Sequence, residues 1–233
     1  YNRRAWIGQG SGSGERDNLT IFVHGTWSDP STFKSDFKKA VAQTLKDNNQ
    51  KNFSWNAENS VEARKQAGKE LAQMIKKEIK NLEDGEKVTI IAHSHGGNVV
   101  KYASQELSKG ELDRVIFLAT PHRNDAKLNQ KAVKKGGKVV NVYDERDLVQ
   151  GFLGKFDKEN WNPLAPNPKQ AMSSAINIDV KPKNYLPQNP SLEDTSRYNT
   201  SQVINYRPFS SHTTIQETKK WNQYVAPKLK AKQ

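Results

Sequence analysis

The stretch Val88-Thr-Ile-Ile-Ala-His-Ser94-His-Gly96-Gly97 decides how this chain folds. Its first five residues form a β-branched, mostly apolar run, typical of a central strand buried on both faces. Small residues, Ala92 and Gly96, stand two positions before and two positions after Ser94. A sharp strand-to-helix turn requires small residues there, because the turn crowds both positions. The pattern therefore predicts a serine hydroxyl exposed on such a turn, where a neighbouring base can activate it as a nucleophile.

Outward from this turn, strand-like runs alternate with segments of helical periodicity. The strand-like runs are 19–24, 53–55, 88–92, 115–119 and 138–142. Apolar residues at helical spacing are Phe33, Phe37, Val41 and Leu45, then Ala67, Leu71, Ile75, Ile79 and Leu82, and a further helix is predicted over 97–107. Such alternation predicts an α/β fold with a mainly parallel central sheet flanked by helices, in which functional groups gather at the carboxyl ends of the strands.

The two ends of the chain have different compositions. Residues 1–17 contain the run Gly-Gln-Gly-Ser-Gly-Ser-Gly and are predicted to be a flexible linker, with a single domain over 18–233. Seven of the ten prolines lie between Pro163 and Pro208, so we expect an irregular, cap-like insertion over 151–208. Within it, 175–180 and 202–206 are both candidates for a last strand. A terminal helix with Ile215 and Trp221 is expected to end at Pro227.

Composition limits the classes of function. The 233 residues include 37 basic and 25 acidic side chains, and the net charge is +12. Such a charge attracts anionic surfaces, although scattered lysines also fit an ordinary solvated surface. The absence of cysteine excludes disulfides, thiolate metal sites and a cysteine nucleophile. No apolar run approaches the roughly 18 residues that a membrane helix needs.

A second segment, Ile21-Phe-Val-His-Gly-Thr-Trp27, and the serine turn form a recognisable sequence pattern when taken together. Together they resemble the α/β-hydrolase superfamily, in particular its bacterial lipases and esterases, although Ala92 replaces the usual glycine of G-x-S-x-G. The resemblance implies the α/β-hydrolase fold and an oxyanion hole built from the backbone N–H groups of Thr26 and His95. It also suggests that Trp27 lines the acyl pocket, with core packing as the alternative.

The resemblance further implies the chain order nucleophile, acid, histidine. A carboxylate follows the strand at 139–143, and two apolar residues after Asp147 favour it over Asp144 as the acid. The family order then assigns the base to His212, in a polar loop before the terminal helix. His122, in Ala119-Thr-Pro-His-Arg123, is expected to be structural or to line the substrate pocket.

These features predict a serine hydrolase that cleaves carboxylic esters through an acyl-enzyme and needs no cofactor or metal. A lipid or phospholipid substrate, met at an anionic membrane surface, is favoured. A small-molecule carboxylesterase and a non-catalytic basic binding module remain alternatives. A metal-dependent hydrolase using His93-x-His95 is disfavoured, because glycines and Asn98 follow where further ligands would be needed. Nucleic acid is not expected as a partner, since no recognised motif accompanies the charge.

The start at Tyr1 and the glycine-rich run indicate a processed chain or the C-terminal domain of a larger protein. A secreted or delivered bacterial protein, such as a phospholipase effector or toxin, fits this expectation, and a trimmed ordinary esterase is the alternative. The oligomeric state is left open by the sequence.

Overall fold

The computed structural model describes residues 18–144, 147, 172–180 and 210–230. Within these ranges a single parallel sheet runs in the order β2-β1-β3-β4-β5-β6. Its strands are β1 (Leu19–Val23), β2 (Asn49–Phe53), β3 (Val88–His93), β4 (Leu112–Leu118), β5 (Val133–Tyr143) and β6 (Ile176–Asp179). The predicted α/β fold with a parallel sheet flanked by helices is confirmed.

Three longer helices and a C-terminal group of shorter ones surround this sheet. They are α1 (Ser35–Leu45), α2 (Val61–Ile79), α3 (Gly96–Gln105), α4 (Ser210–Thr214), α5 (Thr218–Lys220), a π-helical turn (Trp221–Val225) and α6 (Ala226–Lys230). Two 3-10 turns lie at Pro30–Thr32 and Gln130–Ala132. Among the residues described, none of these helices combines the length and apolar character needed to span a bilayer.

Alternate residues along the strands pack into two hydrophobic cores, one on each face of the sheet. Ile90 of β3 packs in the core that contains residues of α2 and α3, while Ile91 packs in the core that contains residues of α1 and the C-terminal helices. Because successive side chains on a strand point to opposite faces, a strand covered on both sides must be apolar at almost every position. All six residues of β3 are buried accordingly.

Two strands differ most from their predicted bounds. The sequence predicts a strand at 53–55, but β2 occupies Asn49–Phe53. Its polar sequence suits an edge strand, and among the described residues it pairs with β1 alone. β5 begins at Val133 rather than at residue 138 and includes Gly136 and Gly137. A Cβ on Gly137 would lie 2.6 Å from the Asp113 carbonyl oxygen, so close backbone packing explains a glycine within this strand.

The predictions for the last third of the chain have mixed outcomes. Of the two candidates for a last strand, 175–180 contains β6, so this part of the expected irregular insertion is regular. The candidate at 202–206, the rest of the insertion and the linker 1–17 lie outside the described residues. The expected helix end at Pro227 is wrong, because α6 continues to Lys230. A π-helical turn precedes the proline, and its wider backbone relieves the clash that a proline ring makes with the preceding turn.

Candidate active site

Ser94 lies on the sharp turn between β3 and α3. Its backbone has φ of +54°, a left-handed conformation that is rare for a residue other than glycine. The Ser94 N–H donates to the Leu118 carbonyl at 2.9 Å, which anchors the turn to β4. A strained backbone held by its surroundings is a frequent feature of functional sites, and here it lies at the carboxyl end of a central strand.

Small residues let other backbone segments approach this turn. A Cβ on Gly25 would lie 2.7 Å from the Ser94 Cβ, and one on Gly96 would overlap the carbonyl oxygens at the end of β1. A Cβ on Gly97 would collide with the Thr120 side chain. Ala92 is fully buried between its strand neighbours Val23 and Phe117. The spacing of small residues thus brings the Gly25 loop directly against the serine.

A chain of hydrogen bonds joins Ser94, His212 and Asp147. His212 Nε2 lies 3.0 Å from Ser94 Oγ, and its Nδ1 lies 2.7 Å from Asp147 Oδ2. Because a carboxylate only accepts, Nδ1 carries the proton and Nε2 accepts from the serine hydroxyl. All three residues are buried. His212 belongs to the short helix α4, so the expectation of a polar loop there is wrong in its local structure.

The two candidate acids occupy one turn after β5. The Asp147 N–H donates to the backbone carbonyl of Asp144 at 2.9 Å, and this turn carries the Asp147 carboxylate to His212. Asp144, directly after β5, is fully buried. The carboxylate bonded to His212 is therefore that of Asp147, the acid that the sequence favours.

The two backbone N–H groups named as oxyanion donors belong to the residues that follow Gly25 and Ser94, and Gly25 packs against the serine. Among the described residues, neither the Thr26 nor the His95 N–H has a hydrogen-bond acceptor, whereas the next amide, that of Trp27, donates to the Ala57 carbonyl at 3.0 Å. His95 also precedes the first residue of α3, where the helix dipole favours negative charge. Both amides are therefore free, within the described part of the chain, to donate to a bound group.

His24 fixes the direction of one of these amides, a contact that the sequence does not reveal. The Trp55 N–H lies 3.3 Å from His24 Nε2, so Nε2 accepts and Nδ1 carries the proton that it donates to the Gly25 carbonyl at 3.0 Å. Burial lowers the pKa of His24, which favours this neutral form. Because the peptide unit is planar, holding the Gly25 carbonyl also holds the Thr26 N–H.

Three further histidines are buried and each has its own partner. His93 Nε2 lies 3.0 Å from the His212 carbonyl, His95 Nδ1 accepts from Asn98, and His122 Nε2 donates to Asn141 at 2.8 Å. Burial lowers the pKa of His93 and of His122 to about 3, and lowers the pKa of His95 well below its ordinary value. His93 and His95 thus have different hydrogen-bond partners. Over the described ranges no group of three metal-ligating side chains was found.

The two residues expected to contact substrate have contrasting environments. Trp27 is 73% exposed, is the large apolar side chain most open to solvent in the described part, and has φ of +51°. It directly follows the Thr26 amide. His122 is buried, its ring is perpendicular to that of Phe117, and its Nε2 is bonded to Asn141. Of its two expected roles, these contacts favour the structural one.

Lys101 on α3 gives a test of the electrostatics in this region. Its side chain is only 3% exposed, and burial lowers its pKa from 10.5 to about 8, against a smaller opposing effect of Asp125. Between pH 8 and 10.5 the unfolded chain holds a proton that the folded chain has lost, so stability should rise with pH in this range. Lys101→Met should raise the free energy of unfolding at pH 7 by about 2 kcal/mol, since it removes the burial of a charge.

Urea unfolding at pH 7, 9 and 10.5 measures this effect. The advantage of Lys101→Met over the wild type should shrink steadily toward pH 10.5. Lys65→Met, an exposed lysine on α2, serves as the control and should change stability little. Equal stabilities of wild type and Lys101→Met at pH 7 would show that the buried ammonium carries no cost.

A comparison with protein families adds the decisive observation. Residues 13–154, more than half of the chain, match the family described as "Putative serine esterase (DUF676)". The chain belongs to this serine esterase family. The matched region of this esterase-family chain contains Thr26, Ser94, His95 and Asp147 and ends before His212.

Solved structures similar to this member of the serine esterase family include several hydrolases. Phospholipase PlaB from Legionella pneumophila is 22% identical with a TM-score of 0.38, and the match covers 46% of this chain but only 25% of PlaB. Trichoderma reesei cutinase is 20% identical with a TM-score of 0.39, over 51% of this chain and 60% of the cutinase. An extracellular α/β-hydrolase from a Paenibacillus species is 19% identical with a TM-score of 0.32, over 46% and 42%. No curated protein sequence matches the chain significantly.

Proposed function

We propose that this chain hydrolyses carboxylic esters, with Ser94 as nucleophile, His212 as general base and Asp147 as the carboxylate that orients His212. The observation that carries the proposal is the continuous pair of hydrogen bonds, 3.0 Å from Ser94 Oγ to His212 Nε2 and 2.7 Å from His212 Nδ1 to Asp147. Nucleophile, base and orienting acid within hydrogen-bonding distance are the arrangement that activates a serine hydroxyl. Membership of a serine esterase family supports the same reaction.

The reaction proceeds in two halves. His212 Nε2 removes the hydroxyl proton as Ser94 Oγ attacks the ester carbonyl carbon, and Asp147 stabilises the imidazolium that forms. The carbonyl oxygen becomes an oxyanion, which accepts hydrogen bonds from the Thr26 and His95 amides. Collapse of the intermediate breaks the ester C–O bond, and His212 returns the proton to the departing alcohol. Water then attacks the acyl-enzyme by the same route and releases the acid and free Ser94.

A lipid substrate is the more specific part of the proposal. Trp27 is an exposed indole that directly follows one of the proposed oxyanion donors, and we propose that it contacts the acyl chain of the ester. Indole side chains suit the boundary between an apolar phase and water. The net charge of +12 favours anionic surfaces such as phospholipid head groups. A small-molecule carboxylesterase remains the second candidate, since the buried triad residues themselves set no acyl length.

Hydrolysis rates on three substrates test this proposal. A short soluble ester, a long-chain ester and anionic phospholipid vesicles are compared under the same conditions. The hypothesis of a lipid substrate predicts higher kcat/KM on the long-chain ester and the vesicles than on the short ester. Preference for the short ester would support the small-molecule esterase, and hydrolysis of none of the three would support a non-catalytic binding module.

Trp27→Ala is expected to weaken activity on vesicles by at least tenfold, because an indole contributes a few kcal/mol of apolar contact when it is buried. The loss on a short soluble ester should be much smaller, because that substrate buries little of the indole. Trp27→Phe is the matched control and should retain most of the vesicle activity. An equal loss on both substrates would contradict a lipid-contacting role for Trp27.

A further inference from the structure

His93 connects the strand that carries the nucleophile to the backbone of the base. It is the last residue of β3 and directly precedes Ser94. Its Nε2 lies 3.0 Å from the His212 carbonyl oxygen, and the two imidazole rings are 4.9 Å apart at an angle of 49°. A carbonyl oxygen only accepts, so His93 Nε2 carries the proton and donates it.

The hydrogen bond to the His212 carbonyl explains why a polar side chain, His93, is buried at a position that an apolar side chain could fill. His93 is 5% exposed, and its other ring nitrogen, Nδ1, is buried with no hydrogen-bond partner among the described residues. A buried polar atom without a partner costs about 1–3 kcal/mol. An apolar side chain of similar size would avoid this cost, so the bond to His212 is the gain that an imidazole brings here.

His93 also remains neutral in the range where an esterase works. Burial lowers its pKa to about 3, and the neighbouring His212 acts in the same direction. The ring therefore donates its hydrogen bond without adding a second positive charge beside the imidazolium that His212 becomes during the reaction.

The base lies on an element that depends on such contacts. α4 has five residues, and a helix of this length is not stable by itself. Its last carbonyl groups lack partners within the helix, and the His212 carbonyl receives one from His93. A neighbouring contact, from Gln216 Nε2 to Thr32 Oγ1 at 2.8 Å, holds the chain beyond α4 but does not touch His212.

We propose that His93 is a positioning residue that sets the distance between His212 and Ser94. Because His93 and Ser94 are consecutive, a hydrogen bond from His93 to the His212 backbone ties the base to the segment that carries the nucleophile. The proposal rests on the catalytic roles assigned above to Ser94 and His212. It predicts that loss of this donor displaces the base without removing any group that touches the substrate.

Three substitutions separate the hydrogen bond from packing. In His93→Gln the amide nitrogen is as many bonds from Cβ as imidazole Nε2, so it can replace the donor, whereas the shorter amide of His93→Asn cannot reach. His93→Leu keeps the volume and removes the donor. We expect kcat to fall roughly 10- to 100-fold in the Leu and Asn variants, because small displacements of catalytic groups have effects of this size. KM should stay within about threefold, and Gln should restore most of kcat.

Stability and function are read out separately. The control for a loss of stability without a loss of kcat is Ser104→Ala. Ser104 lies near the C-terminal end of α3, and its buried hydroxyl accepts a hydrogen bond from the Asn129 N–H. Rates are expressed per folded molecule, after thermal denaturation has given the folded fraction of each variant. If the Leu variant does not fold, the comparison of Gln with Asn decides.

The results distinguish failure of the two proposals. A wild-type protein that hydrolyses no ester would refute the proposed function. An active wild type with equal kcat in the Gln and Asn variants, with an unchanged kcat in a folded Leu variant, or with changes in KM alone would refute the positioning role and leave the function intact.

Discussion

Replacing Ser94 by alanine is expected to lower kcat for ester hydrolysis by about 100,000-fold or more, because a triad acts as a unit and loses nearly all its effect with the nucleophile. His212 and Asp147 would remain in place, but no hydroxyl would be left to form the acyl-enzyme. The amides of Thr26 and His95 would still polarise a bound carbonyl, so weak residual hydrolysis by water is expected. Steady-state rates on a chromogenic ester measure the difference.

The backbone at Ser94 supplies a control for this experiment. Alanine keeps the strain of φ at +54°, so Ser94→Ala should be about as stable as the wild type. Ser94→Gly should be equally inactive but more stable by about 1 kcal/mol, because glycine adopts this conformation without a steric cost. Inactivity in both variants, with unchanged stability in one and higher stability in the other, separates lost chemistry from lost folding. Retention of more than a few per cent of activity in either variant would remove Ser94 from the mechanism.

Asp147→Asn is the second substitution with a large expected effect, a fall in kcat of about 10,000-fold. The carboxylate holds the proton on His212 Nδ1 and stabilises the imidazolium, and a neutral amide does neither well. The 2.7 Å bond between Asp147 and His212 is the contact that would be lost or inverted. The variant should remain folded, because asparagine has nearly the same shape.

Asp144→Asn is the matched control three residues away. Its side chain is fully buried, so some loss of stability is expected, but kcat per folded molecule should fall far less than in Asp147→Asn. Both variants are assayed at the pH optimum of the wild type, with the folded fraction measured for each. A larger loss of kcat in Asp144→Asn would transfer the role of the acid to that residue.

The serine turn and the fold could be predicted because their signals are local. Ala92, Gly96 and Gly97 reflect steric requirements of one turn, and the apolar run of β3 reflects burial on two faces. Both requirements act on consecutive residues, so they are visible in the sequence. Asp147 is favoured as the acid by the family resemblance and not by a local steric or burial pattern. In the structure its carboxylate is bonded to His212.

Other features depend on contacts between distant parts of the chain. β2 has the polar sequence Asn-Gln-Lys-Asn-Phe, and only its position at the sheet edge makes it a strand. The sequence assigns no contact to the side chains of His24 and His93, whose partners Trp55 and His212 lie 31 and 119 residues away along the chain. The continuation of α6 past Pro227 depends on a π-helical turn, and no local sequence pattern predicts that turn. Such contacts become visible only once the chain is folded.

The central claim is that Ser94 is an activated nucleophile, and covalent labelling tests it most directly. The folded protein is treated with an alkyl fluorophosphonate, a reagent whose phosphorus is attacked by an activated serine hydroxyl with loss of fluoride. Intact-mass and peptide mass spectrometry should show one adduct, located on the peptide that contains Ser94. The adduct should be absent from Ser94→Ala and form far more slowly in His212→Ala. Ester hydrolysis without an adduct on Ser94, or with the adduct on another residue, would contradict the account.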